Sequence, residues 1–474
     1  MLIKHSILYF VARLLPALVT LMALSVYTRM LAPAEYGRYS LTIVVAMGVN
    51  AIVFQWLNLA LGRFLPECET KALRQRWIST AIYSWLGLSV LIIVAIWLLP
   101  LSDWFSTFAI VFSMLGILAV AQAWFDLALR FDNIALRPIR YGISSLLKSV
   151  LALGLGYVAL NFGLGVSGVL SALVFALIIS TLLQKEYWSS ATLSRFDTAI
   201  FRQMSAYGLP LTVTFLMTFM IDVCGRLFLS SYHGPEAVGV FSAAYEFVQY
   251  IVGTLLAVVH LAAFPLVVRL LDAGSEQKLS YQLAYNFDLV LAVSASVCAG
   301  LAVCSAEIVT LLLGEAYREG AITIMPWVAL ALFLSVLKSY YFDYAFQLGK
   351  NTLLQLVTVI SGAAATLIAC FILVPSMSIK GAALAGVAGF TIALCASIFL
   401  GAKVFSMPPL RAASLFKVAV ATGVMLLTVS WVPAMPTLAS LLVKVSLGAM
   451  LFSAILVLAN YMEVRQRLKE RYFA

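Results

Sequence analysis

The candidate charges inside the long apolar stretches, where any chemistry has to start, are Arg13, Lys148, Asp222, Arg226, Glu246, Asp288, Lys338, Asp343 and Lys444. A charge at mid-bilayer costs roughly 2.5–3.5 kcal/mol on insertion scales, so such groups face a partner or a watery cavity. Arg13 shares a helical face with Pro16, Thr20 and Tyr27, a polar stripe expected to point inward. The competing role is snorkelling to nearby headgroups. Lys148 and Lys338 lie near the middle of their stretches, one in each half of the chain. Two central cations suit an anionic substrate, or each pairs with a carboxylate on a neighbouring helix.

Glu246 shares a face with Gln249, Tyr250 and Gly253. Desolvation there would favour its protonated form, as an ion-coupled carrier needs; a structural hydrogen bond is the alternative. Asp222, a second ion-coupling candidate, lies four residues before Arg226, and one helical turn would bring them together as a structural ion pair. Asn50 and Asn58 lie eight apart on one face. They are candidates for sugar hydroxyls, although amides also serve helix–helix contacts. Asp126, Asp288 and Asp343 fall near inner stretch ends, where solvation is cheap, and Lys444 reads as structural.

The elements that hold these residues follow from composition. Of 474 residues, 63% are hydrophobic and 11% charged, with a mean hydropathy of +1.04. Soluble domains carry about 25% charge, so the bilayer is the solvent that suits this chain. Fourteen apolar runs can be drawn, near 6–28, 39–62, 77–99, 107–128, 141–160, 164–184, 206–230, 238–264, 283–305, 321–346, 351–374, 381–402, 412–432 and 438–460. Lipid leaves no water for backbone groups, and the alternation of a barrel strand is absent, so helices are expected. Little chain remains for a soluble catalytic lobe, which argues against an enzyme.

The net charge of +10 resides in short loops and gives no sign of nucleic-acid binding. Six cysteines form no C-x-x-C pair, and three histidines make a metal site improbable. No phosphate-binding G-x-x-x-x-G-K-[ST] sequence or other cofactor motif occurs. With the N-terminus inside, inner segments hold 21 Lys and Arg and outer segments 4. That asymmetry places both termini in the cytoplasm and supports an even span count.

Pro33-Ala-Glu-Tyr-Gly37-Arg-Tyr39-Ser40 follows the first run, and Pro235-Glu-Ala-Val-Gly239-Val-Phe241-Ser242 follows the seventh. The shared P-x-x-x-G-x-[Tyr/Phe]-Ser pattern marks a duplication. Six intervening spans make the repeat parallel, with a pseudo-twofold along the membrane normal. The expected fold is an all-α integral membrane protein of about 14 helices. A six-helix lobe, 1–184, is followed by a basic cytoplasmic linker, 185–204, and a second six-helix lobe, 205–404. Residues 405–474 add two helices and a basic tail. A cavity between related lobes is the usual seat of a transported substrate.

Further motifs add a resemblance. Tyr27-x-Arg29-x-Leu31-x-Pro33-x-Glu35-Tyr36-Gly37, Tyr207-Gly208-Leu209-Pro210-Leu211, the run Gly234 to Tyr245, Leu312-Leu-Gly314-Glu-Ala-Tyr317, and Pro375 before Gly381-Ala-Ala-Leu-Ala385 are the residues concerned. They resemble the polysaccharide biosynthesis, oligosaccharide-lipid flippase family of the multidrug/oligosaccharidyl-lipid/polysaccharide exporter superfamily. The resemblance implies outward movement of an undecaprenyl-diphosphate-linked glycan in a bacterial cell membrane. It further implies contact with membrane lipids and no cofactor. A polysaccharide polymerase docking on spans 13 and 14 is a further expectation. A lipid II flippase and an ion-coupled multidrug antiporter share the superfamily and stay open as alternatives. The antiporter would call for a more acidic cavity, whereas the deep charges here lean positive.

Overall fold

The computed structural model describes residues 2–98, 109–184, 186, 196–433 and 437–463. Nearly all of them are helical, and no strand occurs among the described residues. Ten helical stretches are long and apolar enough to cross a membrane. Two of these are double. Helix α8 (Thr198–Asp272) breaks at Gly234 and α13 (Thr352–Gly401) breaks at Ser378. The long α1 (Leu2–Met30) and the shorter apolar α7 (Gly165–Ser180) bring the spans to the expected fourteen. The chain is a multi-pass membrane protein.

Gly234 has φ 76° and ψ −177°, a backbone region essentially restricted to glycine. It precedes Pro235, the first residue of the repeated motif. In the first copy, Pro33 starts α2 (Pro33–Val53), and the Glu35 carboxylate accepts from the Ala32 N–H at 3.0 Å. Proline suits a first helical turn because its missing N–H would be unpaired there anyway. The motif's aromatic residues tie neighbouring spans together. Tyr39 packs edge-on to Tyr27 of α1 at 5.7 Å, and Phe241 faces Gly225 of the preceding span, 3.6 Å from where a Cβ there would fall. The repeat is thus a device for closing hairpins.

The chain divides into two compact units, Met1–Val223 and Cys224–Ala474. In the first, α1 lies along α6 (Pro138–Asn161), and α5 (Ala109–Ile134) packs on α2 and α7. Gly142 permits the close approach of α1: a Cβ there would fall 2.7 Å from that of Ala12. The Tyr27 hydroxyl donates to the Ala152 carbonyl at 2.7 Å along the same seam. A core of Trp56, Trp77, Trp85, Trp124 and Phe131 joins α3 (Gln55–Phe64), α4 (Lys71–Leu98) and α5.

The start of α8 belongs to this first core. Gly208 sits against the Trp56 carbonyl, where a Cβ would come within 2.4 Å, and Phe201 packs edge-on to Trp56. Phe219 covers Gly48. The unit boundary therefore falls within the seventh span rather than in the 185–204 segment, because packing, not loop position, decides which core a helix joins. Residues 185 and 187–195 of that segment, and the basic tail beyond 463, lie outside the described residues.

In the second unit, α9 (Glu276–Val303) packs on α11 (Arg318–Leu337) and on α14 (Ala412–Trp431). Helix α11 packs on α13, and α14 pairs with α15 (Leu438–Leu458). Short α10 (Ser305–Leu312) and α12 (Tyr344–Leu348) complete the unit, with a π-helical turn at Lys338–Phe342 ahead of α12.

Candidate functional site

The first unit contains a cavity of about 300 Å3 with a mixed polar and apolar lining. Gln55, Asn58 and Leu59 on α3, Asp126, Leu129, Arg130 and Asn133 on α5, Tyr141 on α6 and Phe215 on α8 line it. Helix α3 follows a break at Phe54, so its first turns present Gln55 and Asn58 toward α5. Spacing does the rest: 126, 130 and 133 are i, i+4 and i+7 on α5, one stripe of the helix.

Arg130 is held from below. Its Nε donates to the Asn58 carbonyl at 2.9 Å. A Cβ at Gly62 would fall 1.9 Å from Arg130 Nη2, so glycine is what gives the guanidinium its place. Asp126 accepts from Asn50 Nδ2 and from Gln122 Nε2, each at 2.8 Å. Lys148 on α6 attracts the Asp126 carboxylate and sits 5.5 Å from the Phe125 ring centroid.

Several of these groups have capacity left. Arg130 has no carboxylate within ion-pair distance among the described residues, and the side-chain amides of Gln55 and Asn133 have no protein partner there. Asn58 is 8% exposed, and its Oδ1 is unpaired. An unsatisfied buried polar atom costs about 1–3 kcal/mol, so these groups are poised for water or a ligand.

The expected site residues separate on the structure. Asn58 lines the cavity, and Asn50 supports it from behind by fixing Asp126. Arg13 is exposed, with no ion pair or hydrogen bond among the described residues. Lys148 makes no contact ion pair among them. Lys338 is different: its Nζ meets Asp343 Oδ2 at 2.7 Å, and both are buried. Ser397 donates to the other Asp343 oxygen at 2.8 Å, and Gln355 approaches at 3.4 Å. The π turn is what lets residues five apart face each other, so the Lys338 charge is already compensated.

Arg226 also departs from expectation. Its ion partner is Glu246 across the Gly234 hairpin, at 3.7 Å, rather than Asp222 on its own helix. Its Nε donates to Ser242 at 3.0 Å, and its guanidinium lies 4.9 Å from the Tyr245 ring centroid. Glu246 is therefore tied to a cation, and the stripe of Glu246, Gln249, Tyr250 and Gly253 is the less buried side of its helix. Lys444 forms a buried ion pair with Glu307 and borders a mostly apolar cavity of about 440 Å3 between α9 and α15.

A family model described as polysaccharide biosynthesis protein matches residues 26–322. The chain belongs to the polysaccharide biosynthesis protein family. The match takes in the whole Tyr27 motif, ends just after the Leu312–Tyr317 motif and spans every residue of the cavity lining. No curated protein matches the sequence.

Among solved structures, a lipid II flippase, MurJ, in an inward closed conformation has a TM-score of 0.78 at 14% identity, covering 98% of this chain and 100% of that one. An inward-facing multidrug resistance transporter of the MATE family has a TM-score of 0.62 at 17% identity, covering 83% and 97%. A transporter of the same superfamily from Pyrococcus furiosus has 0.56 at 15%, covering 85% and 94%. These likenesses establish the fold shared by this family member and the flippase and transporter architectures.

Sequence reasoning missed Gln55, Asn133 and Arg130 as cavity residues. Arg130 lies just beyond the 107–128 stretch and so reads as one of the 21 inner-segment cations. The stripe 126, 130, 133 was the available signal, hidden because it runs across the end of an apolar stretch.

Proposed function

We propose that this member of the family moves a diphosphate-linked lipid saccharide from the inner to the outer leaflet of a bacterial cell membrane, by alternating access and with both termini in the cytoplasm. The observation that carries the reading is the cavity of uncommitted amides with one guanidinium, set among membrane helices. Sugars and a diphosphate do not cross hydrocarbon unaided, because each unpaired polar group there is costly. The polar groups of that lining offer the head group a route while the isoprenoid chain stays in lipid. Exposed Arg13 and the Lys148 ammonium are the cations assigned to the diphosphate, and Asn58 to the saccharide. An inside-negative potential favours outward anion movement by about 2.3 kcal/mol per charge per 100 mV.

The ion pair with Arg226 already engages the Glu246 carboxylate, which weighs against coupling through Glu246. The appended helices α14 and α15 remain the surface assigned to a polymerase. The test is leaflet-resolved: undecaprenyl-linked saccharide is extracted from cells with and without the chain after labelling by an external sugar-modifying probe. The expected result is accumulation of probe-inaccessible units on depletion, with mass spectrometry identifying the sugar. Equal labelling in both strains would overturn the proposal, and accumulated lipid II instead would transfer the chain to that substrate.

A further inference from the structure

We propose that the cavity of the first unit is a monosaccharide subsite: it holds one sugar ring of the carried glycan, not the diphosphate. The inference rests on the flippase reading above and adds where the saccharide is recognised and by which groups.

The first ground is charge. The lining carries one carboxylate, Asp126, and one guanidinium, Arg130; Lys148, which attracts that carboxylate, is not part of the lining. An anionic phosphate beside Arg130 would also meet Asp126, a like charge. A neutral polyol meets no such conflict. It can accept from the guanidinium and donate to the carboxylate at once.

The second ground is hydrogen-bond capacity. Gln55, Asn58 and Asn133 bring three amides, each with an acceptor oxygen and a donor nitrogen. The amides of Gln55 and Asn133 have no protein partner among the described residues, and the buried Asn58 Oδ1 is unpaired. Asp126 has spent one hydrogen bond on each oxygen, while an ionised carboxylate can accept about four. Adjacent hydroxyls, each a donor and an acceptor, are the chemical class that uses such a mixture fully. A phosphate, acceptor only, would leave the amide oxygens unsatisfied.

The third ground is shape. The rings of Tyr141 and Phe215 also line the cavity, and an apolar ring face is what the C–H face of a pyranose packs against. The volume lies at the lower end of small-molecule pockets, which run about 300–1,000 Å3. It suits a single ring, with the remaining units of the glycan outside.

The test uses the full chain in lipid nanodiscs. It is exposed to a total undecaprenyl-linked saccharide extract of the host, spiked with bare undecaprenyl diphosphate. Native mass spectrometry reads the ratio of saccharide-bearing to bare lipid retained. The wild type is expected to enrich the saccharide-bearing species about tenfold or more, the discrimination one well-made polar contact supplies. Q55M and N133L keep side-chain size and remove the amides. They are expected to bring the ratio near parity while retaining bare lipid, with an unchanged thermal midpoint confirming folding. The more conservative N133D should keep part of the preference.

Retention of bare lipid by the wild type without enrichment, or an enrichment that survives in the variants, overturns the subsite. Equal loss of both lipids in the variants overturns it too, and makes the cavity the diphosphate site. Retention of neither lipid by the wild type sinks the flippase reading itself.

Discussion

At the scale of single residues, Gly62 separates packing from function. Alanine is the better helix former by about 0.5–1 kcal/mol, so G62A is expected to leave the thermal midpoint unchanged or slightly raised. Its Cβ would nevertheless displace the Arg130 guanidinium, the far end of a flexible side chain. Transport should fall well below wild type in the leaflet-labelling assay while folding is kept. Normal transport in a folded G62A would remove Arg130 from the site. Which residues were legible beforehand follows from geometry. Asn58 was recognisable, because a polar side chain on an apolar helix face is visible in any sequence. For Lys338 a carboxylate partner was one of two alternatives, but Asp343 was not recognisable as that partner, because residues five apart point about 140° away from each other on an α-helix and nothing in the sequence announces the π turn. Arg226 was paired with the neighbour one turn back, a local rule, whereas the hairpin brings Glu246 from the next span.

At the scale of elements, the Gly234 break sets the seventh and eighth spans against each other. G234A has open space around its Cβ, so its cost is the backbone alone, about 1–3 kcal/mol, read as a lowered thermal midpoint in detergent. The start of α6 offers a pH-dependent contact outside the membrane. Glu186 accepts from Arg137 at 2.9 Å and lies 3.3 Å from Arg140, and the Arg137 hydrogen bond first of all lowers its carboxyl below the usual range. A carboxylate lowered in the folded state stabilises fully above its unfolded value of about 4.3, and that contribution fades as pH falls through the folded value. E186Q should therefore lose a small stabilisation at neutral pH and match wild type in acid. Exposure of the pair keeps the effect small, and a difference that grew on acidification would contradict it. The appended helices carry the strongest expectation. K444M leaves Glu307 buried and uncompensated, which typically costs about 3–5 kcal/mol, whereas the E307M/K444M double variant should recover most of the stability. No recovery would mean that the ion pair is not what α15 contributes.

At the scale of the whole molecule, the helical class, the span count and the hairpin motif were legible because lipid imposes them: apolar runs of spanning length have few alternatives. The unit boundary was not. It depends on Gly208 and Phe219 packing onto α2 and α3, contacts between positions more than a hundred residues apart that no local pattern encodes. Residues after about 405 read as an appendage, yet the second unit buries groups against them. Tyr461 donates to the Asp288 carbonyl at 2.8 Å, and Lys444 reaches Glu307. Truncation after the twelfth span is expected to destabilise the remainder, measured as aggregation during size-exclusion chromatography; a monodisperse truncated protein would show the helices to be dispensable. The same ion pair has a consequence in time. Glu307 leaves the ribosome 137 residues ahead of Lys444, which at about 5–20 residues per second is an interval of about 7–27 s. Throughout that interval a carboxylate destined for the interior has no counter-ion from its own chain, so the nascent second unit must wait, protonated, hydrated or chaperoned, until the C-terminal hairpin is inserted to complete it.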